Sequence, residues 1–233
     1  MPTPTSEPRG RVAKREAITR AARAVFGREG FTAARIETIA AEAQVSTRTI
    51  YNHFAGKEEL FTAVVQHSST HVADILAELM RRQLGPVNDP DGAEKALLAL
   101  ADEWNTPRAE FTDHFALVRR MQAEAAQLPE TLLRAWHEAG PRRTRQELAR
   151  HLTRLNELGV LTVSDPELAA EHFLVLTVGV YSECGHDGVT TVSAESRHRV
   201  LAAGVRAFLY GYLPRSAPAR EDQAAREHDR RYR

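Results

Sequence analysis

Apolar residues recur at helical spacing through most of this chain, and the clearest case is a stretch near its N-terminus. Residues 36–43 carry apolar side chains at i, i+3, i+4 and i+7, which predicts a short helix with one buried face. Ser46 follows, where its hydroxyl oxygen can accept a backbone N–H at the start of a second helix. In that helix Ile50 and Phe54 are expected to pack inward. Two short helices joined by a tight turn predict a helix-turn-helix whose second helix enters a DNA major groove.

The same period predicts helices on both sides of this motif. A first helix is expected over residues 11–29, ended by Gly30, and a long fourth helix over residues 57–84. Further helices are expected over the ranges 93–104, 109–127, 129–158, 165–184 and 194–213, with an interruption at Pro141 in the third of them. The predicted fold class is therefore all-α with about nine helices, a three-helix head and a larger helical body.

One segment of the body is apolar on nearly all sides. Residues 173–181 read FLVLTVGVY, so this segment is expected to be buried on more than one face. Its β-branched residues make a strand conceivable, but the helical flanks and the lack of a second strand to pair with favour a helix.

The expected organisation has four parts. Residues 1–10 are rich in Pro, Thr and Ser and are expected to be a disordered arm. Residues 11–56 form the predicted DNA-binding domain, and residues 57–213 form the helical body, which shares the helix 57–84 with the head. Residues 214–233 are expected to be a charged, frayed tail.

Charge is distributed unevenly although the net charge is zero. Residues 1–60 contain ten Lys and Arg residues against seven acids, so the remainder is net acidic. A basic head on an acidic body suits a polyanion at one end of the protein. The asymmetry is small, and alone it does not separate DNA binding from chance.

No motif for a catalytic nucleophile, a metal site or a phosphate loop occurs, so neither an enzyme nor a cofactor is predicted. Cys184 is the single cysteine, so it forms no intrachain disulfide. With only His186 and Asp187 beside it, an inert thiol is favoured over a metal site or a redox switch. The N-terminus lacks an apolar signal core, and no run reaches the ~18 apolar residues of a membrane span, which predicts a cytoplasmic protein.

Residues 26–60 (FGREGFTAARIETIAAEAQVSTRTIYNHFAGKEEL) resemble the TetR family of bacterial transcriptional regulators. The matching motifs are Gly30-Phe31, Ile39-Ala40, Val45-Ser46, Thr49-Ile50-Tyr51, His53-Phe54 and Lys57. The segment 165–180 (DPELAAEHFLVLTVGV) looks like the penultimate helix of AcrR-like members. The rest of the body matches only in outline.

The resemblance implies a ligand-responsive repressor that binds a palindromic operator as a homodimer and is released by a small-molecule effector. It implies dimerisation through residues 165–184 and 194–213, and an effector that shifts the long helix 57–84. An alternative from another class is a helical small-molecule-binding or interaction protein with weak or lost operator recognition.

The helix-turn-helix motif and the resemblance together predict site residues. DNA contacts are expected at Arg35, Thr47, Arg48, Thr49, Tyr51, Asn52, His53 and Lys57. Thr47 and Arg48 are expected at base edges and the others mostly at phosphates. For Thr49 the alternative is to stabilise its own helical turn, and for Tyr51 it is to pack against the head. Effector-pocket candidates are Trp104, Phe111, His114, Phe115, Met121, Trp136, Phe173, Thr177 and Tyr181, for which plain core packing is the alternative.

Three departures from the family pattern stand out. Gln44 occupies the turn where the family has Gly, and a positive φ there costs a non-glycine residue roughly 1 kcal/mol. Ala34 occupies the usual Ser or Thr cap of the second helix, so either Thr32 caps instead or the helix start frays. Arg35 replaces a small polar residue and offers an extra phosphate contact.

Overall fold

A computed structural model describes residues 7–179 and 193–213 of the 233-residue chain. Its α-helices are α1 (Glu7–Ala33), α2 (Ile36–Glu42), α3 (Thr47–Tyr51), α4 (Lys57–Leu84), α5 (Pro90–Trp104), α6 (Thr112–Ala123), α7 (Glu130–His137), α8 (Arg143–Glu157), α9 (Pro166–Leu174) and α10 (Ala194–Tyr212). A π turn, Glu138–Arg142, joins α7 to α8 without a break, and a second, Val175–Gly179, extends α9. Within the described ranges there is no strand, and α7 with α8 counts as one of nine helices, which confirms the all-α prediction.

The first helix begins earlier than predicted. Helix α1 starts at Glu7, so the expectation of a disordered arm is wrong for residues 7–10, while residues 1–6 lie outside the described part. Gly30 interrupts the helical path as predicted, since its φ of 82° is non-helical, and one further turn runs to Ala33. The predicted tail 214–233 also lies outside the described residues.

Three other predicted helix boundaries differ from those in the structure. Asp89 accepts the N–H of Gly92 at 2.8 Å and starts α5 at Pro90, three residues before the predicted start at residue 93. Pro141 does not interrupt its helix, because the π turn absorbs it. The single helix expected over 109–127 is α6 flanked by two short 3₁₀ turns, Ala109–Phe111 and Ala125–Gln127.

The chain forms two compact units. Among the described residues, the first unit comprises those up to Leu79 together with Thr106–Glu147, and the second comprises Met80–Asn105 and those from Leu148 onward. Helices α4 and α8 each contribute residues to both. The predicted functional division at residue 57 follows a different line and stays a prediction.

The first unit has an aromatic core that joins α1 to α4. Phe26 and Phe61 make an edge-to-face contact with ring centroids 4.7 Å apart, and Phe31 contacts Phe61 at 5.0 Å. Ile50 and Phe54 are buried in the same core, as predicted. Helix α3 and the residues just after it are therefore fixed to α1 and α4 by inward side chains.

In the second unit, α9 and its π turn pack closely on α10. A Cβ at Gly204 would lie 2.2 Å from the carbonyl oxygen of Leu176, so only glycine permits this approach. Phe173 and Phe208 make an edge-to-face contact at 5.4 Å. Burial on more than one face was predicted for residues 173–181, yet Val175 is 60% exposed. The described part of that segment therefore keeps one open face.

Candidate nucleic-acid interface

The recognition helix α3 begins at a side-chain cap. The hydroxyl oxygen of Ser46 accepts the backbone N–H of Thr49 at 3.1 Å, which confirms the predicted N-cap. The Thr49 hydroxyl lies 2.9 Å from the same oxygen. Because that hydroxyl already takes part in the cap, the geometry favours the reading in which Thr49 stabilises its own helical turn.

The turn between α2 and α3 carries backbone strain. Gln44 has a φ of 54°, in the left-handed region where side chains with a Cβ are disfavoured. The cost of roughly 1 kcal/mol relative to glycine was predicted for the case that Gln44 has a positive φ, and the structure has this φ. The backbone N–H of Val45 donates to the carbonyl of Ala40 at 3.0 Å and closes the turn.

Helix α2 starts without a local cap. Arg35 is its N-cap residue and makes no capping bond, and Thr32 does not replace the missing cap. The backbone N–H and the hydroxyl of Thr32 instead donate to Glu124, at 3.0 and 3.2 Å. Of the two alternatives given for the missing cap, capping by Thr32 is therefore excluded, because the carboxylate of Glu124 at the end of α6 binds this residue.

Lys57 holds the same segment from the other side. Its ammonium group donates to the carbonyl oxygens of Thr32, at 3.2 Å, and Ala34, at 3.1 Å. The same nitrogen lies 4.8 Å from the ring centroid of Phe31. The phosphate contact expected of Lys57 stays a prediction, and it competes with these internal bonds.

Four predicted DNA contacts point into solvent. The side chains of Arg35, Arg48, Tyr51 and Asn52 are exposed and form no hydrogen bond or ion pair with the residues that the structure describes. Tyr51 is 55% exposed, which disfavours a packing role. Thr47, Thr49, His53 and Lys57 are half-buried. All eight predicted DNA-contact residues therefore have side chains that are at least partly exposed.

His53 lies close to three basic residues near the start of α1. Its pKa is lowered by burial and by the nearby charges of Arg11, Arg15 and Lys14, so the imidazole is neutral at pH 7. Arg15 donates to the His53 carbonyl at 3.0 Å and lies 4.3 Å from the ring centroid of Phe54. This basic cluster was not predicted from the sequence, although the i, i+3, i+4 spacing of its three cations on α1 is a signal for it.

The effector-pocket candidates are divided between the two units. Phe111, His114 and Met121 are buried in the first unit, where Trp136 is half-buried and Phe115 is exposed. In the second, Phe173 and Thr177 are buried and Trp104 is half-buried, while Tyr181 and Cys184 lie outside the described residues. Met121 shares the core of Phe26, which is the packing alternative for that residue.

His114 is the most polar of these candidates. Its Nδ1 lies 2.9 Å from the hydroxyl of Ser68, and burial, with smaller contributions from Arg23 and His71, lowers its pKa to about 4. It is therefore neutral at pH 7. The neighbouring Ser69 hydroxyl is buried without a hydrogen-bond partner in the described chain.

A groove of about 730 Å³ lies between α1 and α4 in the first unit. It is lined by Val12, Arg15, Glu16, Thr19, Arg20, Arg23, Ala63, Val64, Gln66, His67 and Thr70. None of the predicted pocket residues lines it. Among the described helices, none is both long enough and apolar enough to cross a membrane.

The head consists of three helices around a buried core, and its capped recognition helix α3 presents polar side chains outward. This arrangement defines a helix-turn-helix DNA-binding protein. The family model of bacterial regulatory proteins of the tetR family matches residues 18–64. A second family model, the C-terminal domain of AefR-like transcriptional repressors, matches residues 110–214. Together they span more than half of the sequence, and the chain belongs to the TetR family of transcriptional regulators. The AcrR-like likeness of residues 165–180 stays a prediction.

Individual relatives agree with this assignment. The transcriptional repressor NicS of Pseudomonas putida is 37% identical over 97 residues, which cover 42% of this chain and 44% of NicS. A TetR-family regulator of Mesorhizobium loti superimposes with a TM-score of 0.77 at 29% identity, covering 88% of this chain and 98% of its own. The flavonoid-responsive regulator FrrA gives a TM-score of 0.67 at 29% identity, covering 88% and 99%.

Proposed function

We propose that this protein is a ligand-responsive transcriptional repressor that binds a palindromic operator as a homodimer and is released by a small-molecule effector. The observation that carries the proposal is the capped helix α3, whose exposed Arg48, Tyr51 and Asn52 have no partner among the described residues. Side chains held at a helix surface without internal partners are available for another molecule. We place the protein in the cytoplasm, with DNA.

In this proposal α3 lies in the major groove. Arg48 donates to guanine O6 and N7, and Thr47 contacts an adjacent base edge. Phosphates are held by Arg35, Tyr51 and Asn52, and by His53 as a neutral hydrogen-bonding group. The basic cluster on α1 adds positive potential beside them.

A single head covers one half-site, so operator binding requires two heads about 34–36 Å apart or a multiple of that spacing. The open face of α9 and α10 supports a dimer. This face exposes the larger side chains of Leu168, Val175 and Tyr210. It also exposes the small side chains of Ala203 and Ala207 on α10. Small and apolar side chains at helical spacing suit close packing against a second copy. The remainder of the predicted dimerisation segment, residues 180–184, lies outside the described residues.

The proposed effector is partly apolar and carries a hydrogen-bonding group. His114 and Ser68 form a neutral polar pair beside the aromatic rings of Phe111 and Phe115. Such a mixture suits a molecule with an apolar body and a polar substituent. Binding shifts α4, changes the spacing of the heads and weakens DNA binding, for which a coupling of about 1–3 kcal/mol suffices.

The second candidate is a helical small-molecule-binding protein that has lost operator recognition. The strained Gln44 and the uncapped start of α2 are the observations that favour it. Selection of bound duplexes from a random double-stranded DNA library separates the two. A repressor enriches one palindromic sequence and shows a steep fall of affinity with salt, whereas the second candidate enriches none.

A further inference from the structure

Helix α6 lies alongside the second half of α1 at close range. A Cβ on Gly27 would lie 3.5 Å from the Cβ of Ala116 and the backbone nitrogen of Leu117, so only ordinary contact distance separates the helices. Arg23 forms an ion pair with Asp113 at 3.8 Å nearby. The two helices are therefore packed along their lengths.

The last turn of α6 and the residue that follows it, Glu124, then bind the backbone that leads into α2. Arg120 donates to the carbonyl oxygen of Arg28 at 3.2 Å. Glu124 accepts both the N–H and the hydroxyl of Thr32 with one carboxylate oxygen. Its other oxygen occupies the space that a side chain at Gly30 would need, since a Cβ there would lie 1.8 Å from it.

These bonds act where α2 has no cap of its own. An N-cap side chain typically stabilises a helix by accepting one of its free N–H groups, and α2 lacks that contribution. Its approach segment, residues 30–35, is instead held by Glu124 from α6 and by Lys57 from the start of α4. The position of α2 thus depends on a side chain 92 residues away from Thr32.

A displacement of α2 is expected to move α3 as well, because the buried side chains of both helices belong to one core. Ile39 of α2 and Ile50 of α3 are each almost fully buried in the core that also contains Phe61. A close-packed core transmits displacement from one element to the next. A change in the segment 30–35 therefore reaches the recognition helix.

We infer that Glu124 is a positioning residue for the DNA-reading head, which makes operator binding depend on where α6 lies. The inference rests on the proposed function and adds a second route by which an effector reaches the DNA-reading head. Helix α6 also carries His114, so an effector that contacts this helix acts on the head through Glu124 as well as through α4. The carboxylate does this without touching DNA.

The test compares Glu124→Ala and Thr32→Val with the wild-type protein on the duplex that the wild type enriches from a random library. Anisotropy titrations should show binding about five- to twentyfold weaker for Glu124→Ala. The slope of affinity against salt should stay unchanged, because no phosphate contact is removed. Hydrogen exchange should show loss of protection at the Thr32 amide.

The matched control is Glu130→Ala, which removes a carboxylate of the same unit that pairs, among the described residues, with Arg134 on α7 alone. It should bind DNA as the wild type does. Thr32→Ser keeps the hydroxyl and should also bind normally. Thr32→Val should add little in the Glu124→Ala background, since both changes break one contact.

Two results overturn the inference. One is a folded Glu124→Ala protein with wild-type DNA affinity, whatever its melting temperature. The other is strict additivity of the two substitutions. If the wild type itself enriches no sequence, the proposed function fails instead, and exchange at the Thr32 amide still shows whether Glu124 orders the segment.

Discussion

The ammonium nitrogen of Lys57 lies 3.1 Å from the carbonyl oxygen of Ala34, at the entrance to α2. Ala34 occupies the position where the family pattern has a hydroxyl side chain as a cap. The first residue of α4 thus stabilises a segment that lacks a local cap. A residue predicted from the sequence to bind phosphate is therefore also part of the internal framework of the head.

Replacing Lys57 with Met should lower the free energy of unfolding by about 1–3 kcal/mol, because two charge-assisted hydrogen bonds are lost. The salt slope of DNA binding should stay unchanged if the ammonium remains internal. Urea unfolding and salt titrations measure the two effects. Lys95→Met, at an exposed position of α5, is the control. A slope reduced by about one with unchanged stability would show that Lys57 binds phosphate instead.

Replacing Arg48 with Ala should relax specificity at one base pair of each half-site, costing about 1–3 kcal/mol on the preferred sequence. Arg35→Ala should instead weaken all sequences alike and reduce the salt slope by about one, as expected for a phosphate contact. Affinities for a set of single-base operator variants separate the two patterns. Unchanged base preference in Arg48→Ala would contradict its assignment as the reading residue.

Gln44→Gly should raise the free energy of unfolding by about 0.5–1 kcal/mol, because glycine adopts a φ of 54° without the cost of a Cβ. Gln44→Ala keeps the Cβ and should give no such gain. Chemical denaturation of both variants measures the difference. Equal stabilities for the two substitutions would show that the backbone at this turn is not strained.

His114 predicts a pH dependence of stability. Its pKa falls from 6.5 in the unfolded chain to about 4 in the folded protein, so the unfolded chain binds a proton that the folded protein excludes. The stabilisation is complete above about pH 6.5 and is lost as the pH falls through 4, reaching a loss of about 2–3 kcal/mol at about pH 4.5. His114→Gln should remove this part of the dependence.

Unfolding free energies at pH 7 and at about pH 4.5 test this prediction. His67→Gln, at an exposed position of α4, should keep the wild-type dependence. His53 and His151 also have lowered pKa values, chiefly from burial, so some dependence remains in every variant. An identical dependence in wild type and His114→Gln would contradict the prediction.

The dimer proposal predicts that charge on the open face of the second unit separates the protomers. Val175→Arg and Tyr210→Arg should each raise the dimer dissociation constant more than about 100-fold, because a desolvated apolar contact becomes a buried like-charge pair. Sedimentation velocity measures the effect. Leu158→Arg, at a residue that is 50% exposed beyond the end of α8, should leave the dimer intact. Monomerisation by this control would point to a different interface.

Local features of the fold were predictable because their causes lie within one helical turn. The break at Gly30, the cap at Ser46 and the inward packing of Ile50 and Phe54 each depend on a residue's own conformation or on neighbours three or four positions away. The sequence by itself therefore determined the helix-turn-helix head and its outward side chains.

Only the tertiary structure decided what holds that head in place. Glu124 meets Thr32 across 92 residues, and Lys57 turns inward to Ala34, so no local pattern signals either contact. Both depend on how α6 and α4 pack against α1, which is set by the shapes of buried side chains rather than by their spacing along the chain. The missing cap at Ala34 was visible in the sequence, but the distant side chains that compensate for it were not.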